Sequence, residues 1–157
     1  MASRVRSYAI ASLLTALISG GYACSKDSNN TTGDAGSADA AAIARGAVAV
    51  KTRDCASCHA ASDKSLSGST TPRPGTMAYP QNLTPDSDTG IGDWTDAQLV
   101  NAILNGTDDE NATLCAIMPR FASMGMKQSE AEDIAAYLKS LPAVKREIPE
   151  STCPEKK

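Results

Sequence analysis

The sequence has only one histidine, one tryptophan and one phenylalanine in 157 residues, and no run rich in lysine and arginine. So few aromatic residues argue against a β-sandwich and favour small helices. The formal net charge is −3, and without a basic run we expect no nucleic-acid partner. The length suits one domain, and no internal repeat is visible.

The N-terminus has the pattern of an export signal. Arg4 and Arg6 precede the apolar run YAIASLLTALISGGYA, which is short for a membrane span of about 20 residues. We expect residues 1–23 to be a signal peptide of an exported, periplasmic protein. Cys24 follows small residues and is predicted to carry a lipid that anchors the protein to a membrane, with ordinary cleavage near Ala23 as the alternative.

The residues after Cys24 are small, polar and of low complexity: SKDSNNTTGDAGSADAAA. Such a composition cannot bury enough apolar surface to fold. We therefore expect a flexible tether over residues 24–40 and the folded domain over residues 41–157.

Helical apolar spacing recurs in the folded part. A first helix is predicted from a cap at Ser37 up to the sequence RDCASCH, and residues 66–92 read as a long loop rich in Pro, Gly, Ser and Thr. Two later helices are each predicted to start at a capping box, Thr95 with Gln98 and Ser129 with Glu132. The first is predicted to end at Gly106 and the second at Pro142.

The stretch RDCASCHAA contains the C-x-x-C-H attachment sequence of a c-type haem. Cys55 and Cys58 would form the two thioether bonds, and His59 would bind the iron. A zinc site would need two more ligands with paired spacing, whereas Cys115 and Cys153 stand alone. A thioredoxin-like motif would need a preceding strand. The sequence therefore predicts one covalently bound haem c.

The second axial ligand cannot be histidine, so a methionine thioether is the usual candidate. Met118 ranks first because Pro119 forces it into an extended loop. Met77 and Met124 stay open as alternatives. Met126 precedes the last helix, where an apolar residue packs against the first turn, and it reads as core.

Four stretches occur in the order CASCH, NLTPDSDTGIGDWTDAQLVNAILNG, LCAIMPRF and MKQSEAEDIAAYLKSLP. Together they resemble the class I cytochrome c domains of bacterial periplasmic electron carriers, above all the cytochrome subunits that act beside dehydrogenases. The resemblance runs from about Ile43 to Pro142. It implies an all-α fold in which three to five helices and long loops wrap around one haem.

The resemblance also implies roles for single residues. It makes His59 and Met118 the axial ligands and places a crossing of the first and last helices near Gly46 and Tyr137. The segment that contains Trp94 would line the haem edge. Trp94 would then either donate a hydrogen bond to a haem propionate or simply pack in the core.

His–Met ligation leaves no open position on the iron, so we expect an electron carrier and not an enzyme. Its partners would be redox proteins: a dehydrogenase or respiratory complex on one side, and an oxidase, another cytochrome or a different terminal acceptor on the other. The protein would be a monomer or a subunit of a redox complex. The alternative is a haem sensor or peroxidase-like enzyme in which the methionine is displaced.

The cysteine count leaves Cys115 and Cys153 unassigned, and spare thiols in an exported protein tend to pair. A disulfide between them would hold the polar C-terminal tail back across the last helix. It would also restrain the loop that contains Met118.

Overall fold

The computed structural model describes residues 35–153, and this part of the chain is helical. In chain order, α1 is Ala35–Thr52, α2 is Ala56–His59, α3 is Asp96–Asn105, a 3₁₀ helix is Phe121–Met124 and α4 is Gln128–Lys139. Four α-helices without a strand in the described range confirm the all-α prediction. None of these helices is long and apolar enough to cross a membrane. The predicted signal peptide and Cys24 lie outside the described residues.

Two helix starts differ from the prediction. Helix α1 begins at Ala35, before Ser37 and inside the predicted tether, because the alanine-rich run has high helix propensity. Helix α4 begins at Gln128 after Lys127, which makes no side-chain cap. The predicted capping box of Ser129 and Glu132 was wrong, because Ser129 already lies inside the helix.

Helix α3 starts and stops where the sequence predicts. Thr95 accepts a hydrogen bond from the Gln98 backbone N–H, and the Gln98 side chain accepts one from the Thr95 N–H, which completes a capping box. Gly106 ends the helix in the left-handed conformation at φ 70°. Leu99 and Ile103 of this helix are buried.

Helices α1 and α4 cross at Gly46, as the sequence resemblance implied. A Cβ atom at this position would lie 1.9 Å from the Asp133 carbonyl oxygen and 2.7 Å from Tyr137 Cβ, so only glycine allows this approach. Two bidentate ion pairs flank the crossing. Arg45 donates to Asp133 at 2.7 Å, and Arg53 donates to Glu130 at 2.7 and 2.8 Å. The second pair fixes the chain just before the CASCH sequence.

One hydrophobic core unites the helices with the loops. Its buried members are Ala49, Val50, Leu66, Ile91, Leu99, Ile103, Phe121, Met126, Ala131, Ile134, Ala135 and Leu138. Met126 is 6% exposed, in agreement with its predicted packing role. The core fixes helices that the long loops then surround.

The last described residues form an extended segment, here called the strap (residues 143–153). It is hydrogen-bonded along the long loop, whereas the sequence had placed the tail across the last helix. The buried Asn82 side chain donates to the Val144 carbonyl at 2.7 Å, and the Val144 N–H donates to the Thr84 hydroxyl at 3.0 Å. The Arg146 N–H donates to the Thr89 hydroxyl at 3.0 Å. These bonds satisfy polar groups that burial would otherwise penalise.

Candidate functional site

The CASCH sequence occupies one short helical turn. Asp54, at φ 56°, reverses the chain after α1, and Cys55 then takes the position before α2. The His59 N–H donates to the Cys55 carbonyl at 3.0 Å, so both thiols and the imidazole lie on the same turn. Cys55 and Cys58 are free, half-buried thiols, and burial raises the pKa of the Cys55 thiol. The turn therefore presents two thiols and an imidazole together.

The imidazole of His59 has a defined tautomer. Its Nδ1 lies 2.8 Å from the carbonyl oxygen of Gln81. A carbonyl can only accept, so Nδ1 carries the hydrogen and Nε2 keeps its lone pair for a metal. Burial lowers the pKa of His59, the Gln81 carbonyl partly opposes this, and the nearby charge of Arg73 lowers it further. The neutral form that binds metals is thus favoured.

Arg73 lies beside the same turn, and the sequence did not single it out. Its Nη1 donates to the Ser57 carbonyl at 3.2 Å. Its Nε is the one buried side-chain nitrogen or oxygen between residues 39 and 153 that lacks a hydrogen-bond partner. A buried guanidinium nitrogen without a partner is costly, which suits a site that receives a carboxylate.

The candidate methionines differ sharply in exposure. Met77 and Met124 are 54% and 59% exposed, whereas Met118 is half-buried and packs against the hydrophobic core. The Met118 N–H donates to the Cys115 carbonyl at 3.0 Å, and Pro119 follows without an N–H to donate. Of the three candidates, Met118 is the one held both by packing and by its loop.

The structure pairs Cys115 with Cys153 in a disulfide whose Cα atoms lie 5.2 Å apart. The neighbouring Thr152 N–H donates to the Met77 carbonyl at 3.0 Å, and the Ser151 hydroxyl accepts from the Tyr79 N–H at 2.8 Å. The strap thus connects the loop before Met118 to residues 77–81, whose last member orients His59.

Trp94 is half-buried and packs against the hydrophobic core. Its backbone N–H donates to the Ile91 carbonyl at 3.2 Å, and its carbonyl accepts from the Lys139 ammonium group. The packing role is therefore present, while the hydrogen bond to a propionate stays a prediction.

These residues fit a covalently attached haem better than a bare metal ion. No group of three or more His, Cys, Asp or Glu side chains in the described part of the chain could hold an ion, which argues against the zinc alternative. Two free thiols flank a helical turn that ends in a neutral imidazole. The unsatisfied Arg73 nitrogen beside them matches a cofactor that brings its own carboxylates.

Comparisons with known proteins agree with this geometry. The family model described as Cytochrome c matches residues 43–142. A "Diheme cytochrome c-type" protein of Cereibacter sphaeroides is 38% identical over 96 residues, covering 56% of this chain and 32% of its own length. A nicotinate dehydrogenase subunit of Pseudomonas putida is 31% identical over 116 residues, covering 73% of this chain and 10% of its own length.

A third relative is the "Alcohol dehydrogenase (quinone), cytochrome c subunit" of Gluconacetobacter polyoxogenes, 30% identical over 102 residues. The match covers 64% of this chain and 22% of that subunit. The chain thus spans between a tenth and a third of the length of these relatives. Because the family match covers more than half of the chain and includes the CASCH turn, the chain belongs to the cytochrome c family of haem-carrying electron-transfer proteins.

Proposed function

We propose that this protein is a periplasmic electron carrier with a single haem c. The observation that carries the proposal is the CASCH turn, with two free thiols and a histidine whose Nδ1 is bound to the Gln81 carbonyl. Cys55 and Cys58 would hold the haem and His59 would bind its iron. One C-x-x-C-H sequence in the chain supports one haem, although a relative is described as diheme.

Met118 would be the second side chain to bind the haem iron. Its half-buried side chain, the turn closed by its N–H on the Cys115 carbonyl and the exposure of Met77 and Met124 support this choice. When bound, the haem supplies an iron that can exchange one electron. A neutral thioether and an apolar surrounding favour the reduced iron and so raise the reduction potential.

The chain's own residues would prepare the site for rapid electron transfer. The Gln81 carbonyl orients the His59 ring and makes Nε2 a better donor. The apolar core packs against the half-buried Met118 side chain and would support it beside the haem. Arg73 is the proposed partner of a haem propionate, because such a carboxylate would satisfy its buried Nε.

Dehydrogenases are the proposed electron donors, since two relatives are described as dehydrogenase subunits. The electrons would pass to an oxidase, another cytochrome or a different terminal acceptor. The surface encounter with such partners is expected to be small and weak.

We also propose that residues 1–23 direct export and that Cys24 anchors the protein to a membrane through a lipid. The test compares detergent-phase partitioning of the native protein with that of Cys24→Ala. If Cys24 carries a lipid, the native protein should enter the detergent phase and Cys24→Ala should stay in the aqueous phase. Equal partitioning of the two proteins would show that Cys24 carries no anchor.

Intact mass spectrometry of the denatured protein tests haem attachment. The native protein should retain a mass increase of one haem, and Cys55→Ala/Cys58→Ala should lose it. Cys115→Ala/Cys153→Ala is the matched control, because it also removes two cysteines but should keep the haem. A native protein without the added mass, or with that of two haems, would contradict the proposal.

A further inference from the structure

The backbone around Met118 is held by a side chain that follows it. Arg120 Nη2 donates to the Leu114 carbonyl at 2.6 Å, and Nη1 donates to the Met118 carbonyl at 2.7 Å. Nη1 also approaches the Cys115 carbonyl at 3.4 Å. One guanidinium group therefore connects both ends of the loop from Leu114 to Met118.

The guanidinium group also packs closely against the end of α3. A Cβ atom at Gly106 would lie 2.3 Å from Arg120 Cζ, so glycine is the residue that leaves room for it. The Leu114 N–H donates to the Gly106 carbonyl at 2.9 Å. Because α3 is anchored in the core by Leu99 and Ile103, Arg120 joins the Met118 loop to a rigid element.

Few other hydrogen bonds fix this part of the chain. Pro119 has no N–H, and Ile117 is 46% exposed. Of the backbone N–H groups between 115 and 119, only that of Met118 donates to another backbone carbonyl, that of Cys115. A turn with so few internal hydrogen bonds opens readily where it is not held, and the Cys115–Cys153 disulfide holds only its first residue.

We propose that Arg120 is the positioning residue for Met118, holding the Met118 backbone so that its thioether stays directed at the haem iron. This inference rests on the proposed His59–Met118 ligation. A guanidinium group suits the task because its planar fork can donate to two carbonyls at once. A lysine ammonium is a single point charge on a flexible stem and cannot reproduce that geometry.

The experiment compares Arg120→Lys, which keeps the charge but loses the fork, with Arg120→Gln, which loses the charge. Arg45→Gln is the matched control, because Arg45 forms an exposed ion pair with Asp133 on α4. In the haem-loaded protein, hydrogen exchange of the Met118 amide should become about ten-fold faster or more in both Arg120 variants. The control should exchange at the native rate.

A second readout reports on the ligand itself. The far-red absorption band of methionine bound to oxidised iron should weaken in both Arg120 variants, and carbon monoxide should bind the reduced protein about ten-fold faster. A native band in Arg120→Lys would overturn the positioning of the thioether, and native amide exchange would overturn the hold on the backbone. If Arg120→Gln does not fold, Arg120→Lys alone decides.

The two proposals fail in different ways. Retention of the native band in Met118→Ala would overturn the assignment of Met118 as ligand. In that case, faster amide exchange in Arg120→Lys would still show that Arg120 holds the loop. Slow exchange in Arg120→Lys, with the band lost in Met118→Ala, would instead overturn the role of Arg120 alone.

Discussion

Without the Cys115–Cys153 disulfide, the Met118 loop should open at lower urea concentrations than those that unfold the domain. Cys115 and Cys153 are 38 positions apart in sequence, and a cross-link of that span lowers the entropy of the unfolded chain by an amount worth about 4 kcal/mol. Cys115→Ala/Cys153→Ala should therefore lose up to about 4 kcal/mol of unfolding free energy. The far-red band should weaken at urea concentrations below those that unfold the helices.

The order of events follows from the contacts of the strap. Without the bridge, the Thr152 N–H can still donate to the Met77 carbonyl, and Val144 still contacts the buried Asn82 side chain. The strap thus stays on the loop that orients His59, and the Met118 side is released first.

The control for the disulfide prediction weakens the strap without breaking the bridge. Ser151→Ala removes the acceptor of the Tyr79 N–H and should cost about 1 kcal/mol while leaving the far-red band unchanged. Urea titrations monitored by circular dichroism measure the unfolding of the helices, and the far-red absorption band measures the opening of the Met118 loop. Equal urea midpoints for the native protein and Cys115→Ala/Cys153→Ala would refute this prediction. Two titratable thiols in the native, air-exposed protein would refute the disulfide itself.

Two further predictions concern stability. Gly46→Ala should lower the unfolding free energy by about 1–3 kcal/mol in spite of alanine's better helix propensity, because the new methyl group would collide with the Asp133 carbonyl. The control is Ala44→Gly on the exposed side of α1, which should cost only about 1 kcal/mol. A Gly46→Ala variant with unchanged unfolding free energy would contradict the close crossing. The hydrogen bond from the Thr89 hydroxyl lowers the pKa of Asp86, so its contribution is complete above the unfolded pKa and is lost as the pH falls through the folded one. The destabilisation by Asp86→Asn should therefore be present at neutral pH and disappear in acid, and a pH-independent difference in urea unfolding would argue against it.

Local signals in the sequence predicted the parts of the fold that local interactions decide. The capping box of Thr95 and Gln98 and the stop at Gly106 depend on residues close in sequence, and both are present. The start of α4 was misplaced because Lys127 makes no side-chain cap, so the side-chain pattern that marks a helix start was absent there.

The parts of the site that were missed depend on side-chain contacts that the sequence pattern does not encode. Nothing near Arg120 in the sequence shows that its guanidinium packs on Gly106 or reaches the Leu114 carbonyl. The path of the strap depends on the buried Asn82, which is 62 positions from Val144. The one general signal for Arg120 was its place directly after Pro119, because a proline leaves nearby carbonyls free to accept from a guanidinium group.

The spectrum of oxidised and reduced protein, recorded for the native chain and for Met118→Ala, tests the central claim most directly. The oxidised native protein should show a far-red band and Met118→Ala should lose it, with the covalently bound haem retained in both. Carbon monoxide should bind only the reduced variant readily. A native protein without the band, or a Met118→Ala protein that keeps it, would contradict His59–Met118 ligation.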